Sequence, residues 1–491
     1  MLNYLTVFVA IGLVCGDLYE LNIIHYNDFH ARFVETSPSG GVCNPTVAPC
    51  IGGFARLVTL IRESVEKEPH SLVLNGGDTF QGTIWYNLLR WNVTQEFMNM
   101  IHHDAHVLGN HEFDHGLEGV VPYLEHLEHE VVTANIIDDE EPTIQGLYKP
   151  SIVVNKNGRN IGIIGVIIAT TDELASTGKL RFTDEIETVK AEAEKLNEQG
   201  VDIIVVLSHC GIDIDREIAL HGGPHIDIVV GGHSHTLLYN GDPPENSTYG
   251  VHGPYPIVVE KESGPVLIVQ AAAHTEYLGE IKLFFNETGH LQHWIGNPHY
   301  VGHDIEQAPD VIEKINVYLP DIEALAKQKI GESKVFLSSS CRCGECNLGS
   351  LMCDAFLNSV MHNAEGDNWH HAHFCVVNSG GVRSSIEPGG LRVNFDGSRP
   401  INQRVVNVTV RCIDCDIPRY EPLELNKVYK VVSQSFMANG GDGFRMVSEN
   451  KGPSDVIGVD NTVFQDYLER RIPVIRDLDG RIQINEPCLP N

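Results

Sequence analysis

Short apolar runs alternate with stretches of helical periodicity through the first three hundred residues of the chain. The strand-like runs are residues 21–25, 72–74, 161–168, 203–207 and 226–230. Between them, apolar residues recur every three or four positions, as in Phe54, Leu57, Val58, Ile61 and Val65. That spacing is typical of one face of a helix. The alternation predicts an α/β fold in which a buried, partly parallel β-sheet carries helices on its faces.

The pattern changes after residue 308. Residues 309–331 form one helix-like segment, interrupted at Pro320, and beyond it the density of cysteines rises. A chain of 491 residues is expected to form two or three domains of roughly 150 residues each. We therefore predict a first domain over residues 17–308, a linker helix over residues 309–331 and a smaller second domain over residues 332–491.

The N-terminal segment is typical of a secretory signal peptide over residues 1–16. Residues 5–14 form an apolar run that is too short to span a bilayer, and the small Gly16 precedes a candidate cleavage point. The positively charged start of such peptides is missing, and a buried N-terminal strand is the alternative. No later run reaches the roughly 18 apolar residues of a membrane span. Residues 485–491 are polar and proline-rich, unlike a lipid-anchor signal. We expect a secreted protein with neither a membrane span nor a lipid anchor.

Acidic residues outnumber basic ones by 66 to 34, which is a net charge of −32. This excess repels polyanions, so binding to DNA or RNA is excluded as a general function. The hydrophobic content of 42% is typical of a globular protein with a buried core. An anionic small molecule remains a compatible substrate if metal ions or a few arginines reverse the field locally.

The twelve cysteines allow two interpretations. In a cytosolic protein, the cysteines at positions 341, 343, 346, 412 and 415 would suggest a zinc site. In an exported protein, disulfides between cysteines close in the sequence are favoured. The candidate disulfide cysteines are Cys43, Cys50, Cys341, Cys346, Cys353, Cys375, Cys412 and Cys415. Candidate glycosylation sequons begin at Asn92, Asn246, Asn286 and Asn407.

Five times along the chain an apolar run ends and a metal-capable residue follows. The segments are 27–30 (Asn-Asp-Phe-His), 75–78 (Asn-Gly-Gly-Asp), 109–114 (Gly-Asn-His-Glu-Phe-Asp), 208–209 (Ser-His) and 231–235 (Gly-Gly-His-Ser-His). In open α/β sheets, ligands gather at the carboxyl ends of strands, so we expect these segments to meet in one crevice. A single histidine among the 25 of the chain is more often structural or surface-exposed. The joint pattern nevertheless favours a metal site.

The candidate ligands are Asp28, His30, Asp78, Asn110, His209, His233 and His235. Imidazoles, carboxylates and an amide form a mixed nitrogen and oxygen set, which suits zinc, manganese or iron. The set is large enough for two divalent ions that share one carboxylate. Two ions roughly 3.5–4 Å apart can hold the attacking and leaving oxygens of a phosphoryl transfer. Zinc is the expected metal, with magnesium, manganese and calcium as alternatives.

These segments resemble those of the calcineurin-like metallophosphoesterases and, more narrowly, those of the 5′-nucleotidase/apyrase family. The resemblance covers nearly the whole chain after residue 16. It implies that the first domain is a β-sheet sandwich flanked by helices and that the second is a smaller α+β nucleotide-specificity domain. It further implies that one ion is held by Asp28, His30, Asp78 and His235, and the other by Asp78, Asn110, His209 and His233.

The same resemblance gives His111 a catalytic role. His111, oriented by Asp114, would lie beside the phosphate and stabilise the charge that develops as hydroxide attacks phosphorus. A purely structural role for His111 is the alternative.

Two segments of the second domain resemble nucleotide-binding loops of the family. Residues 378–383 (Asn-Ser-Gly-Gly-Val-Arg) resemble its phosphate-proximal arginine loop, and residues 435–444 (Ser-Phe-Met-Ala-Asn-Gly-Gly-Asp-Gly-Phe) resemble its base-binding loop. By this resemblance Arg383 pairs with phosphate oxygens, Phe436 stacks on the base and Asp442 accepts hydrogen bonds from ribose hydroxyls. Taken alone, Phe436 is equally compatible with a core position. The family's cysteine pairs match the candidate disulfides.

The chain departs from the family pattern near Pro388. Arg383 is followed almost at once by residues 389–393 (Gly-Gly-Leu-Arg-Val), whereas the family has several dozen residues there, with a helix and a second stacking aromatic. A domain that is shortened in the protein and a gene sequence that lacks an exon are both compatible with this. Loss of one stacking aromatic would weaken nucleotide affinity tenfold or more, since base stacking contributes on the order of 1–3 kcal/mol.

The sequence thus predicts a secreted phosphohydrolase that depends on divalent metal ions and releases phosphate from extracellular nucleotides, AMP first, with ADP and ATP as further substrates. One alternative is an apyrase specific for ATP and ADP. Another is a nucleotide-binding protein that has lost turnover together with the missing block.

Overall fold

The structure is a computed structural model. It describes residues 18–38, 41, 43–46, 48–328, 333, 337, 346–361, 371–377, 391–396, 398–400, 403–413, 415, 419–441, 444–471 and 482–484. The chain divides into two compact units, one ending at Ala326 and the other beginning at Lys327. Within the described ranges, no helix is long and apolar enough to cross a membrane. The predicted signal peptide lies outside these ranges.

Strands and helices alternate along the first unit. The strands are β1 (Tyr19–Tyr26), β2 (Leu72–Asn75), β3 (Ala105–Val107), β4 (Val131–Val132), β5 (Ile136–Ile137), β6 (Ser151–Lys156), β7 (Arg159–Ile167), β8 (Arg181–Phe182), β9 (Ile203–His209), β10 (Ile228–Val230), β11 (Leu237–Leu238), β12 (Val251–Gly253), β13 (Ile257–Val259), β14 (Val266–Val269), β15 (Tyr277–Phe285), β16 (Leu291–Gly296) and β17 (His299–Tyr300). The helices are α1 (Phe54–Lys67), α2 (Ile84–Met98), a 3₁₀ turn (Asn110–Phe113), α3 (Gly116–His126), α4 (Thr171–Leu174), α5 (Glu185–Glu198), α6 (Ile212–His221) and α7 (Pro309–Ala326).

Two mixed sheets pack face to face in this unit. Their strand orders are β16-β15-β1-β2-β3-β4, with β17 beside β15, and β13-β14-β10-β9-β7-β6. Strands β1 to β4 are parallel to one another, as are β7, β9, β10 and β14, whereas β15, β6 and β13 pair with β1, β7 and β14 in antiparallel fashion. Because side chains alternate along a strand, Leu21 and Ile23 of β1 pack in the apolar layer between the sheets, whereas Ile24 packs among helices.

The apolar pattern by itself predicts one buried sheet, and the structure has two. Residues 21–25 and 72–74 belong to the first sheet, and the other three predicted runs belong to the second. An apolar run indicates that a strand is buried on both faces but not which strand it pairs with. The sandwich implied by the family resemblance is confirmed.

Helix α7 belongs to the first unit and packs against two of its other helices. Arg62 of α1 makes two hydrogen bonds of 2.9 and 2.8 Å to the carboxylate of Asp310, and the hydroxyl of Tyr318 donates to Glu96 of α2 over 2.7 Å. The helix continues through Pro320, where the pattern predicts an interruption. Packing of one face on α1 and α2 holds the helix together although Pro320 contributes no backbone N–H.

The second unit contains a small sheet and a helical core. Its elements are α8 (Asn347–Ser359), β18 (Phe374–Val376), β19 (Leu391–Phe395), β20 (Val405–Arg411), β21 (Tyr420–Pro422), β22 (Val431–Ser433), α9 (Ser435–Ala438), α10 (Arg445–Ser448), α11 (Asp460–Arg470) and β23 (Ile482–Ile484). The sheet has the order β21-β20-β19-β23, and β18 pairs with β22. Phe356 and Val360 of the α8 segment pack against Val432 of β22.

The candidate disulfide cysteines fall in both units. Disulfides join Cys43 to Cys50 and Cys412 to Cys415. Cys346 is disulfide-bonded, and Cys341 lies outside the described residues. The Sγ atoms of Cys353 and Cys375 lie 2.8 Å apart in the buried core without a bond between them, so this disulfide stays a prediction. Of the sequon asparagines, Asn92, Asn246 and Asn407 are exposed and Asn286 is partly buried.

Candidate metal centre

The seven candidate ligands lie at the carboxyl ends of strands from both sheets. They are Asp28 and His30 after β1, Asp78 after β2, Asn110 after β3, His209 at the end of β9, and His233 and His235 after β10. Parallel strands present their carboxyl ends at the same edge of a sheet. Face-to-face packing brings the two edges together, so the expected crevice lies between two sheets rather than along one.

Asp78 lies in the middle of the group. Its Oδ2 atom is 3.1 Å from Nε2 of His209 and 3.7 Å from Nε2 of His30. A ring nitrogen of His233 lies within 4.8 Å of the ligand atoms of Asp78 and His209. A carboxylate with imidazoles on both sides can be shared by two cations.

Asp28 and two imidazoles form one side of the centre. Oδ1 of Asp28 is 3.1 Å from Nε2 of His235 and 3.8 Å from Nε2 of His30. Oδ2 of Asp28 accepts hydrogen bonds from the side-chain amide of Asn27 over 2.6 Å and from the backbone N–H of His233 over 3.0 Å. One oxygen of Asp28 is therefore held by the scaffold, and the other faces the imidazoles.

Three of the candidate ligands have a buried polar atom that no aligned hydrogen bond satisfies among the described residues. Oδ1 of Asp28, Oδ1 of Asn110 and Nε2 of His209 are buried and make no aligned hydrogen bond among the described residues. This holds although His235 lies 3.1 Å from the first atom and Asp78 lies 3.1 Å from the third. A buried polar atom without a partner destabilises a fold by about 1–3 kcal/mol. Divalent cations would satisfy all three atoms, so this donor set fits metal ions.

Electrostatics keep Asp78, His30 and His233 in forms that bind cations. Burial opposes ionisation of Asp78, but the imidazoles of His209 and His111 outweigh it and hold the pKa of Asp78 well below its ordinary value. Burial lowers the pKa of His30 to about 3 and that of His233 to about 4. His209 differs: burial favours its neutral ring, but the carboxylate of Asp78 outweighs burial and raises the pKa of His209 to about 9, so this ring gives up a proton when it binds a metal ion. Ionised carboxylates and neutral imidazoles are the protonation states that ligate metals.

The backbone at several ligands is left-handed. The φ angle is 52° at Asp28, 48° at His30 and 54° at Asp78. Such conformations cost on the order of 1–3 kcal/mol outside glycine, and they cluster at functional sites. Gly77, before Asp78, has a φ of +85°, and a Cβ atom there would lie 2.8 Å from Nδ1 of His209. The turn therefore requires glycine for its conformation and for this close approach.

Glu112 is a buried carboxylate to which the sequence assigns no role. It accepts hydrogen bonds from the backbone N–H groups of Asp78 over 3.0 Å, Thr79 over 2.6 Å and Gly109 over 2.6 Å. These bonds tie the loop after β2 to the loop after β3, so Glu112 positions Asp78 and Asn110. Its place inside the motif of residues 109–114 is the only signal in the sequence.

His274 also faces this centre and is absent from the predicted ligands. Its ring centroid lies 5.4 Å from that of His30 and 5.2 Å from that of His235. Its Nδ1 atom lies 2.8 Å from the hydroxyl of Tyr249. His274 follows β14 as the predicted ligands follow their strands, and this position is the signal that could have identified it.

His111 faces the centre and is held by Asp114. Nδ1 of His111 lies 2.8 Å from Oδ2 of Asp114, and its ring centroid lies 5.1 Å from that of His30. Burial favours the neutral ring, but the carboxylates of Asp114 and Asp78 outweigh it and raise the pKa of His111 to about 10. A cationic imidazole in this position can stabilise negative charge that develops on a phosphoryl group.

The substitution Asp114→Asn is expected to move the alkaline limit of phosphate release to lower pH. A raised pKa means that the cation of His111 is present at neutral pH and is lost as the pH rises through about 10. Asp114 is the strongest of the groups that raise this pKa, so without its charge the ring loses its proton earlier. The measurement is kcat/KM against pH, with the exposed Asp139 changed to Asn as the control. An identical profile in wild type and Asp114→Asn would contradict this role of the pair.

The predicted nucleotide-binding residues are described only in part. Phe436 lies in α9 and is 54% exposed, so the alternative of a core position is wrong. Arg383 and Asp442 lie outside the described residues. The roles of these three residues stay predictions.

Two family models match the chain. The calcineurin-like phosphoesterase model matches residues 21–237. The model of the 5′-nucleotidase C-terminal domain matches in two segments, residues 329–390 and 388–449. The two segments meet where the sequence predicts a missing block.

Curated relatives and solved structures are similar over nearly the whole chain. An apyrase of Tabanus yao is 39% identical, with 95% of this chain and 94% of that protein covered. A snake venom 5′-nucleotidase of Crotalus adamanteus is 34% identical, with 97% of this chain and 90% of that protein covered. The crystal structure of a 5′-nucleotidase precursor from Thermus thermophilus superposes with a TM-score of 0.69 at 32% identity, with 96% of this chain and 100% of the other covered. The two sequence alignments extend over 521 and 536 positions, more than the 491 residues of this chain, so they include positions that it lacks.

Proposed function

Because the chain belongs to the 5′-nucleotidase family, whose members hydrolyse phosphoric esters, we propose that it is a secreted enzyme that uses two divalent metal ions to release phosphate from extracellular nucleotides, with AMP as the first substrate. The observation that carries this proposal is that Asp28, Asn110 and His209 each have a buried ligand atom without an aligned hydrogen bond among the described residues. These residues belong to a set of seven candidate ligands of mixed nitrogen and oxygen type, which is the donor set that two such ions need.

Different residues of the centre bind the metal ions, bind the phosphate and orient the carboxylates. Two divalent ions, when bound, supply Lewis acidity that activates water and neutralises phosphoryl charge. Asp28, His30 and His235 would hold one ion and Asn110, His209 and His233 the other, with Asp78 shared between them. The cation of His111 binds a phosphate oxygen and stabilises it as charge develops. Asn27 and Glu112 keep the two carboxylates in orientation.

Removal of metal ions is expected to abolish phosphate release from AMP, and zinc or magnesium is expected to restore it. The physical reason is that two buried carboxylates and a phosphate bring several negative charges together, more than the single cation of His111 offsets. The measurement is inorganic phosphate released by the full chain before and after dialysis against a chelator, with metal content followed by elemental analysis. Full activity in protein from which the metal has gone would contradict the proposal.

ADP and ATP are the second candidate substrates, because a relative at 39% identity is named an apyrase. The seven ligands do not distinguish a monophosphate from a triphosphate, since each would reach only the phosphoryl group under attack. Initial rates with AMP, ADP and ATP, measured in parallel with the same metal, separate the candidates. The fastest release from AMP supports a nucleotidase, and release from ADP and ATP alone supports an apyrase. If folded, metal-loaded protein binds nucleotides but releases no phosphate from them, this result would support a nucleotide-binding protein that has lost turnover.

Export is part of the proposal for two reasons. The first is the apolar N-terminal segment of residues 5–14, and the second is the similarity to a protein of venom, which is a secreted fluid. The disulfides Cys43–Cys50 and Cys412–Cys415 are compatible with an oxidising compartment.

A further inference from the structure

A second cluster of imidazoles lies outside the candidate metal centre. His103 precedes β3, His106 lies within β3, and His129 precedes β4. One ring nitrogen of each residue lies within 4.8 Å of one ring nitrogen of each of the other two. His103 and His106 are only 2% and 3% exposed, and His129 is partly buried. Three imidazoles from two separate segments therefore meet in the interior of the first unit.

Each of the three rings has one nitrogen in contact with the scaffold and one without a partner. Nε2 of His103 lies 2.8 Å from the hydroxyl of Tyr26, and Nε2 of His129 lies 3.1 Å from the carbonyl oxygen of Met98. Nδ1 of His106 lies 3.4 Å from the side-chain amide of Asn75. The opposite atoms, Nδ1 of His103, Nε2 of His106 and Nδ1 of His129, are buried and make no hydrogen bond within the described chain. In metal-ligating histidines the second ring nitrogen donates its N–H to a protein group. The contacts of His103 and His129 allow this arrangement, whereas His106 reaches it only by giving up its contact with Asn75.

The protonation states of the rings suit a ligand role. Burial lowers the pKa of all three, and the imidazoles of neighbouring histidines lower it further, whereas the backbone carbonyls of Ile101 and Met98 partly oppose this at His103 and His129. Donation from Nε2 of His129 to the Met98 carbonyl leaves the lone pair of its Nδ1 available. The lone pair of Nδ1 of His103 is likewise available when Nε2 of His103 donates to the Tyr26 hydroxyl. That hydroxyl itself donates to Sδ of Met98. Binding at Nε2 of His106 moves the ring proton to Nδ1, and the long contact with Asn75 is then given up.

We propose that His103, His106 and His129 bind a divalent transition-metal ion, zinc in the first place, at a site separate from the phosphate-releasing centre. Three imidazoles and one further position are a common zinc ligand set. Bonds of about 2.0–2.1 Å require nitrogens roughly 3.3 Å apart. One nitrogen of each ring lies within 4.8 Å of one nitrogen of the others, so binding would turn the rings toward the ion. The exposed His102 has its ring centroid 6.4 Å from that of His129, and water or His102 would complete the coordination. The ion would join the start of β3 to the segment before β4.

The test is the zinc content of the full chain and of the variant His129→Gln. After saturation with zinc chloride and gel filtration, we expect one zinc ion per chain fewer in His129→Gln than in the wild type. The matched control is His221→Gln, because His221 is an exposed histidine at the end of α6, and it should keep the wild-type content. His129 lies in a loop and is partly exposed, so this variant is expected to fold, which circular dichroism checks. Equal zinc content in wild type and His129→Gln would overturn the proposal.

A second comparison separates this site from the candidate metal centre. In an Asp78→Asn background, which weakens the other centre, zinc should still raise the melting temperature, because a ligand that binds only the folded state stabilises it. Adding His129→Gln to that background should remove the shift. A shift of the same size in both proteins would overturn the proposal without bearing on the phosphate-releasing centre.

Discussion

The substitution Asp78→Asn is expected to lower kcat/KM for phosphate release from AMP by about 10³-fold or more. Oδ2 of Asp78 lies 3.1 Å from His209 and 3.7 Å from His30, so this carboxylate belongs to both halves of the proposed two-metal centre. An amide has the same shape but no charge, and it holds two cations together poorly. Metal ions contribute several kcal/mol of transition-state stabilisation, and about 4 kcal/mol corresponds to 10³-fold in rate.

The measurement for Asp78→Asn combines phosphate release with elemental analysis of bound metal. The control is Asp213→Asn, which makes the same chemical change at a carboxyl on α6 whose side chain is 78% exposed. It should leave the rate and the metal content of the wild type unchanged. Asp78 also accepts the backbone N–H of His111 over 2.9 Å, so the fold of the variant is checked by circular dichroism. Full activity in folded Asp78→Asn would rule out a shared carboxylate.

The substitution His111→Asn is expected to lower kcat by about 10²–10³-fold, which is the usual effect of removing one group that stabilises charge in a transition state. The imidazole of His111 is one of three groups, with His30 and Asp78, whose ligand atoms lie within 4.8 Å of one another. In our proposal it contacts the phosphate and not the metal, because Asp114 engages its Nδ1 atom and keeps the ring cationic. The metal content should therefore stay at the wild-type value while kcat falls.

Elemental analysis and steady-state kinetics on His111→Asn distinguish three roles. A large fall in kcat with full metal content supports the phosphate contact. Loss of a metal ion would make His111 a ligand, and an unchanged rate would make it a structural residue. His126→Asn is the matched control, since His126 is an exposed histidine at the end of α3.

Five of the seventeen strands described in the first unit were predicted from the sequence, because their apolar runs are short, continuous and bounded by polar residues. All five predicted runs coincide with strands, to within one or two residues at most ends. The ligands were predictable for a related reason: a metal-capable polar residue at the carboxyl end of a buried strand marks a ligand site. Asp28 and Asp78 follow β1 and β2 by two and three residues, and His209 is the last residue of β9. The resemblance to a family added His111 and the distribution of the ligands between two ions.

Other members of the site could not be predicted. Glu112 accepts hydrogen bonds from backbone N–H groups of the loops after β2 and β3. Nearly every residue type has a backbone N–H, so the sequence does not indicate which of them Glu112 binds. His274 is separated from β1 by more than two hundred residues, and only the packing of the sheets brings it beside His30. The cluster of His103, His106 and His129 depends on which ring nitrogen of each is engaged, and no spacing in the sequence contains that information.

The sequence by itself determined the place of five buried strands, the candidate ligands at their carboxyl ends, and therefore the class of chemistry expected of this protein. These are local properties, set by the order of apolar and polar residues over four to eight positions. Only the tertiary structure decided that two sheets rather than one carry the ligands, and that their carboxyl edges face each other across Asp78. Pairing between distant strands depends on the packing of the whole unit, and a buried strand has the same apolar pattern whichever neighbour it pairs with.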